Sequence, residues 1–468
     1  MQKIEQSLWG IFFSRALSIL THLRFTPYDN KTEQGRAGER IRLLGWAVLT
    51  SGLSKCGSLL IVLASVRWGV DYLGAERFGL WMTITSLITL LSFADFGMSN
   101  SLVNLISNAA GRHDLEAIRR IVSNGLAIMI FVSSALGFIF YSVYFFIDWS
   151  MVVNVSESTS ILESGPAIAV YVTIFLISLP LSVVQRVQVG LQESWRSNLW
   201  TFVGQLLALI GLGIVVQLGG GVPYLVLAVA GIPVTITAIN HLDFFLRHRP
   251  EIKPRLVYLD KEIVKKIAHV SLLFLIMQFM AVIGNATDNI VIAQILGAAA
   301  VAPFSIIQKL TMILGVAQLF IVPMWPAFGE SMARGDYAWA KKALTKILIF
   351  STMLGIFAGF IILLYGEKMI RLWAGASMVP NKSLILGFAV FSILMSVGGS
   401  LSVFLNNGEF LRRQAAIFIF ASVMSVIFKF VLVSYWQDAS GAIWGTVIGY
   451  SIFFVIPAFR IAFSRKNI

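Results

Sequence analysis

Twelve times along this chain about nineteen or more residues pass with scarcely a charge. At 1.5 Å per residue in a helix, each such stretch covers the roughly 30 Å of hydrocarbon in a bilayer. The runs fall at 43–66, 78–106, 122–147, 167–185, 199–218, 222–246, 267–296, 301–325, 344–365, 384–405, 415–435 and 439–463. In lipid every backbone N–H and C=O must find a partner inside the structure, which leaves helices or a closed barrel. Barrel strands need only about 9–11 residues, so runs of this length predict helices. Only 13% of the 468 residues are charged, against about 25% in soluble domains, and no polar stretch is long enough for a soluble catalytic domain. The expected fold is an all-α membrane protein of twelve transmembrane helices.

The formal net charge of +13 would suggest nucleic acid in a soluble protein, but its placement argues otherwise. Of the 36 Lys and Arg residues, 28 lie in, or within four residues of, the N-terminal segment, the alternate gaps between runs and the C-terminus, Lys346 and Arg460 falling just inside run ends. Five lie in the other gaps, and three, Lys55, Lys309 and Lys429, fall deeper inside runs. Basic residues mark the cytoplasmic side, so both termini are expected there and no nucleic-acid partner is. Trp68, Trp149, Trp373 and Trp436 sit at the expected outer ends, with Trp46 and Trp325 at inner ones, as an interfacial belt requires. Residues 1–42 carry an apolar stripe (Ile4, Leu8, Ile11, Phe12, Leu17, Leu20, Leu23) broken by Arg15 and Arg24, with no small-residue cleavage site after it. They read as a cytoplasmic amphipathic helix lying on the membrane. The single cysteine, Cys56, excludes an internal disulfide, and the five histidines have no metal-ligand spacing, so no metal or cofactor is expected.

The second half repeats the first. Leu73–Leu87 aligns with Leu296–Leu310 at five identical positions of fifteen; Asp114 before Arg119-Arg120 matches Asp336 before Lys341-Lys342; and Ile232-Pro233 recurs as Ile456-Pro457. Two six-helix pseudo-symmetric bundles follow, 43–246 and 267–468, joined by a basic cytoplasmic linker at 247–266. Six spans per half give both copies the same orientation, and two such bundles can rock about a central cavity to expose it alternately. Pro180, Pro233, Pro303, Pro323, Pro326 and Pro457 are candidate helix breaks, of which Pro303 and Pro326 fit simple helix ends. Gly355/Gly359 and Gly441/Gly445/Gly449 read as packing seams.

A charged side chain at mid-span costs about 2.5–3.5 kcal/mol on insertion scales, so it should face the bundle interior or water. Lys55, Asp95, Lys309 and Lys429, with Arg186 at an inner edge, are the candidate lining of a net-positive substrate cavity suited to an anionic group such as a diphosphate. Asp288 is the candidate ion-coupling carboxylate. Each has a structural alternative: Lys309 and Lys429 can snorkel, Asp95 can cap a helix at Phe96-Gly97, and Asp288 can pair with Lys309.

The segments GVDYLGAERFGLWMTITSLITLLSFADFGMSNSLVNLIS (69–107) and TDNIVIAQILGAAAVAPFSIIQKL (287–310) resemble the polysaccharide transporter family, the O-antigen (Wzx-type) flippases of the multidrug/oligosaccharidyl-lipid/polysaccharide exporter superfamily. The resemblance runs from about residue 40 to 463. It implies a MATE-like fold and a non-enzymatic bacterial inner-membrane flippase. The implied cargo is an undecaprenyl-diphosphate-linked oligosaccharide carried to the periplasmic leaflet, coupled to an ion gradient. The implied partners are that lipid-linked oligosaccharide, membrane lipids, and a polymerase or other polysaccharide assembly proteins. The family pattern carries Asp95 with Phe96-Gly97, the turns Leu73-Gly74 and Leu296-Gly297, and Asp288. A multidrug exporter of the same superfamily is the nearest rival, though an organic-cation cavity calls for acidic or aromatic lining. A major-facilitator carrier would show a Gly-x3-Asp-Arg-x-Gly-Arg-Arg loop, which NAAGRHDLEAIRRI (108–121) lacks. A lipid-linked glycosyltransferase would need a carboxylate-rich outer loop, and an ATP-driven pump a GxxxxGK[ST] motif; neither is present.

Overall fold

The computed structural model describes residue 26 and residues 33–91, 95–153, 155–297, 300–315, 317–374, 378–408 and 410–464. All regular structure among them is helical. Most of the expected amphipathic segment at 1–42 lies outside the described residues; its last ten, from Glu33, already belong to the first long helix. The chain divides into two compact units, Met1–Ala268 and His269–Ile468.

In unit 1, α1 (Glu33–Leu91) runs through both of the first two predicted spans. A loop at 67–77 is therefore not what separates them; a single non-helical residue, Gly74 at φ 72° and ψ 177°, does. Only glycine adopts that backbone without strain. α2 (Met98–Gly111), α3 (Leu115–Tyr144), α4 (Trp149–Val153), α5 (Ser158–Gly190), α6 (Ser194–Gln217), α7 (Val222–Val226) and α8 (Ile232–Asp243) follow. Leu73, Leu80, Trp81 and Ile84 pack with Ile168, Leu212 and Leu225 in the core of the unit. Two ties hold its loops. Arg77 makes a bidentate bridge to Glu163 (3.0 and 2.6 Å), and Glu163 also accepts from Val222 N. The 247–266 segment is strapped to α3: Arg119 Nε donates to Glu251 O (2.6 Å), and Asn124 donates to Tyr258 O and accepts from Asp260 N.

Unit 2 comprises α9 (Lys261–Leu296), which begins in the last residues of unit 1, then α10 (Val301–Leu314), α11 (Gln318–Ile321) and α12 (Met324–Ala333), followed by α13 (Tyr337–Ala374), α14 (Lys382–Leu405), α15 (Phe410–Trp436), α16 (Ser440–Tyr450) and α17 (Ile456–Phe463). Phe304, Ile307, Phe388, Ile362 and Ile443 form its core. The glycine seams are real: a Cβ on Gly359 would lie 2.7 Å from Ala389 O, and one on Gly445 2.5 Å from Lys429 N. Backbones approach this closely where lipid offers no hydrophobic drive and van der Waals packing must hold the helices together.

The sequence repeat recurs as a backbone repeat within each unit. Asp114 caps α3 by accepting from Ala117 N (2.9 Å), as Asp336 caps α13 by accepting from Trp339 N (3.2 Å). A left-handed residue precedes each cap, His113 at φ 58° and Gly335 at φ 77°. A π-helical turn stands before each Ile-Pro pair, Leu227–Gly231 in one unit and Ser451–Val455 in the other. Proline lacks an N–H and crowds the carbonyl four residues back, so the helix widens there. Pro303 and Pro326 fall in the first turns of α10 and α12.

Among the described residues, ten helical stretches are long and apolar enough to span a membrane. The second and eighth predicted spans are the two that fall short, because each is broken. A turn at residues 95–97 precedes α2 in the second, and Gly315 and a turn at residues 322–323 set α11 apart from α10 and α12 in the eighth. The breaks occupy corresponding places in the two halves.

Candidate functional site

Interrupted helices at matching positions of a repeat are where transporters place their binding groups, since the break frees backbone dipoles inside the membrane. In unit 1 the break is built by Asp95, Phe96 and Gly97. Asp95 Oδ1 accepts from Gly97 N (3.0 Å) and Oδ2 from Ser99 N (3.3 Å), so the carboxylate caps the first turn of α2. Gly97 is left-handed at φ 77°, and so is Phe96 at φ 49°, an unfavourable backbone for a bulky residue. Arg186, half-buried on α5, feels the Asp95 charge directly, and its buried Nε has no hydrogen-bond partner among the described residues. Asp95 and Arg186 make no direct hydrogen bond or ion pair among the described residues; the carboxylate acts on the guanidinium only through its field. Behind Arg186, Gln188 and Asn240 exchange two hydrogen bonds (2.7 and 3.1 Å) with both side chains fully buried. Sequence reasoning missed this amide pair because it lies at span ends, where a polar residue draws no notice.

In unit 2, Lys429 on α15 is 1% exposed. Its Nζ donates to Gly284 O at 2.5 Å and lies 2.6 Å from Asp288 Oδ1. Gly284 and Asp288 are one turn apart on α9, so carbonyl and carboxylate face the same way. Two of the structural alternatives that the sequence left open are corrected by this contact. Asp288 pairs with Lys429, not with Lys309, and Lys429 is enclosed by the bundle instead of reaching a boundary.

Lys309, on α10, is exposed, as is Lys55 towards the C-terminal end of the Gly38–Ile61 stretch of α1. Neither has a hydrogen-bond or ion-pair partner among the described residues. Of the six charged residues singled out in the spans, Lys429 and Asp288 form an ion pair and Asp95 caps a helix, while Lys55 and Lys309 are exposed cations with no ion-pair partner among the described residues. Among the described residues, no group of three or more His, Cys, Asp or Glu could hold a metal ion.

Comparison with known proteins decides what kind of molecule this is. A family profile described as "Polysaccharide biosynthesis protein" matches residues 69–332, more than half of the chain. The chain belongs to the polysaccharide biosynthesis protein family. A "Putative O-antigen transporter" of Salmonella typhi is 25% identical over 319 residues, 66% of this chain and 69% of the relative. Among solved structures, a MATE protein in the straight conformation superposes with a TM-score of 0.78 at 17% identity, covering 91% of this chain and 97% of that one. A MOP superfamily transporter from Pyrococcus furiosus, whose reversed pocket polarity its description says suggests a different function, gives 0.76 at 17% identity over 90% and 94%. At such identities the structures establish the fold, which is MATE-like. This member of the polysaccharide biosynthesis family thus combines a MATE-like fold with, among its described residues, ten helical stretches long and apolar enough to cross a membrane. Within the matched stretch lie the Gly74 and Gly297 turns, the Asp95 break, Asp288 and Lys309; Lys55 and Lys429 lie outside it.

Proposed function

We propose that this family member is a flippase that carries an undecaprenyl-diphosphate-linked oligosaccharide to the periplasmic leaflet of a bacterial inner membrane. It works by alternating access, with both termini in the cytoplasm and with ion coupling at the Asp288–Lys429 pair. The observation that carries the reading is the unbalanced charge inside the spans. Lys429 is offset by Asp288, while Lys55 and Lys309 remain exposed and, among the described residues, unpaired. A diphosphate supplies the anion that an unpaired ammonium group favours in a low dielectric, whereas an organic-cation drug would be repelled by it. The O-antigen transporter relative supports the same substrate class.

The test is reconstitution of the purified chain in liposomes carrying a lipid-linked diphosphate oligosaccharide, followed by the fraction of its sugar reachable from outside. Wild-type protein should raise the rate of transfer, and Lys55→Ala with Lys309→Ala should lower it at least tenfold while insertion and melting stay unchanged. Wild-type vesicles that leave the lipid in place yet accumulate an organic cation would replace this reading with the drug-exporter one.

A further inference from the structure

Three of the five basic residues in the outer gaps, Lys368, Arg371 and Lys382, meet at one end of unit 2. The first two stand on the last turns of α13, and Lys382 opens α14. They rim a groove of about 740 Å³ whose floor includes Leu363, Leu364 and Leu386. These leucines are 47%, 52% and 44% exposed.

The charge at the rim is positive. Glu367 engages Arg371 at 2.7 Å, but Lys368 and Lys382 have no ion-pair partner among the described residues. Asp438, the other nearby acid, commits its two oxygens to Asn381 Nδ2 and Ser440 N, each at 2.7 Å. The N-terminus of α14 adds its positive dipole end.

The level in the membrane is bracketed by Tyr365 and Trp373, 52% and 57% exposed and about 12 Å apart along the same helix, with Lys368 and Arg371 between them. Leu364 lies four residues, about 6 Å of helix, below Lys368. The headgroup layer on each side of a bilayer is about 5–7 Å thick. When the cations lie among phosphates, the leucines therefore lie among acyl chains.

We propose that this groove is a binding site for an anionic phospholipid, its phosphate held by Lys368, Lys382 and Arg371 and one acyl chain laid over the three leucines. A water-soluble phosphate makes no use of the apolar floor, and a choline headgroup brings its own cation against the rim. Arginines and lysines are selected against on outer loops by orientation, which makes their concentration here informative. The inference does not depend on the flippase reading, since it needs only the membrane fold and the orientation that the basic gaps predict.

The test is native mass spectrometry of the full-length protein in detergent with equal amounts of phosphatidylglycerol and phosphatidylcholine of the same chains. Wild-type protein should hold phosphatidylglycerol several-fold in excess. Lys368→Gln, Arg371→Gln and Lys382→Gln together should bring the ratio to about one, each single change should lower it, and Glu367→Gln should raise it. Lys265→Gln, in an exposed pair near the start of α9, should leave it unchanged. The proposal is overturned if the wild type shows no preference, if the triple and single variants keep it, if Lys265→Gln removes it equally, or if glycerol 3-phosphate at the lipid's concentration displaces the lipid.

Discussion

Lys429 is the residue whose environment says most about what it does. Taking an ammonium and a carboxylate out of water costs several kcal/mol per ion, and removing one partner of such a pair costs about 3–5 kcal/mol in soluble proteins. Polar pairs in membranes average nearer to about 0.6 kcal/mol, because the unfolded chain also finds partners there. At 1% and 6% side-chain exposure this pair belongs with the costly kind. Lys429→Met and Asp288→Asn should therefore each lower the melting temperature by several degrees, while Lys429→Met with Asp288→Leu recovers most of the loss. Transport should be absent in all three variants, and a double variant that still transports would remove the pair from the coupling step. The choice of partner was not legible in the sequence, because chain proximity favours Lys309 and the contact spans 145 residues from Gly284 to Lys429. The exposure of Lys309 was legible. Phe304, Ile307, Leu310 and Thr311 are buried on one face of α10, and at 100° per residue Lys309 stands about 200° from Ile307.

Helix by helix, the burial of Lys429 follows from the seam beside it. Ala421, Ser425, Lys429 and Val433 recur every four residues along α15 and are all buried. Gly441, Gly445 and Gly449 recur with the same spacing on α16, where added Cβ atoms would come within 2.5–2.6 Å of Leu432, Lys429 and Ser425. The two stripes mesh, and the missing Cβ of Gly445 is what lets the backbone at Lys429 sit this close. Gly445→Ala must push α15 and α16 apart at that point, and overpacking of this kind costs about 1–3 kcal/mol. Gly366→Ala, whose Cβ would meet nothing nearer than Ile362 of its own helix at 3.6 Å, should be tolerated. Thermal unfolding of the two variants checks the contrast, and equal stability would show that α15 and α16 do not need the close approach. The glycine spacing was readable in the sequence because small residues at four-residue intervals have one packing meaning. The breaks in the second and eighth spans were readable only in part, since apolar composition continues across them and only Asp95, Gly97 and Pro323 betray the interruption.

At the scale of the whole chain, the repeat is stronger in the backbone than in the residues. Gly74 and Gly297, His113 and Gly335, Gln192 and Gly408, and Gly219 and Gln437 are left-handed positions that fall at corresponding places in the two halves. Three of these four pairs join a glycine to a different residue, so an alignment of side chains passes over them. A turn geometry can be kept while the residue that makes it changes, at a modest cost in strain outside glycine. Copies with the same order of turns and an even number of spans must present corresponding loops on the same membrane face. With Cys56, which is exposed, replaced by Ser, single cysteines in place of Arg112 and Tyr337 should react with an impermeant thiol reagent from one side only. Cysteines in place of Leu218 and Tyr435 should react from the other side. The excess of Lys and Arg in the gaps near 112 and 337 predicts that this first side is the cytoplasm. Labelling of Arg112→Cys and Tyr337→Cys from opposite faces would break the same-orientation repeat. The matched interruptions at Asp95 and in the eighth span would then no longer be copies of one device.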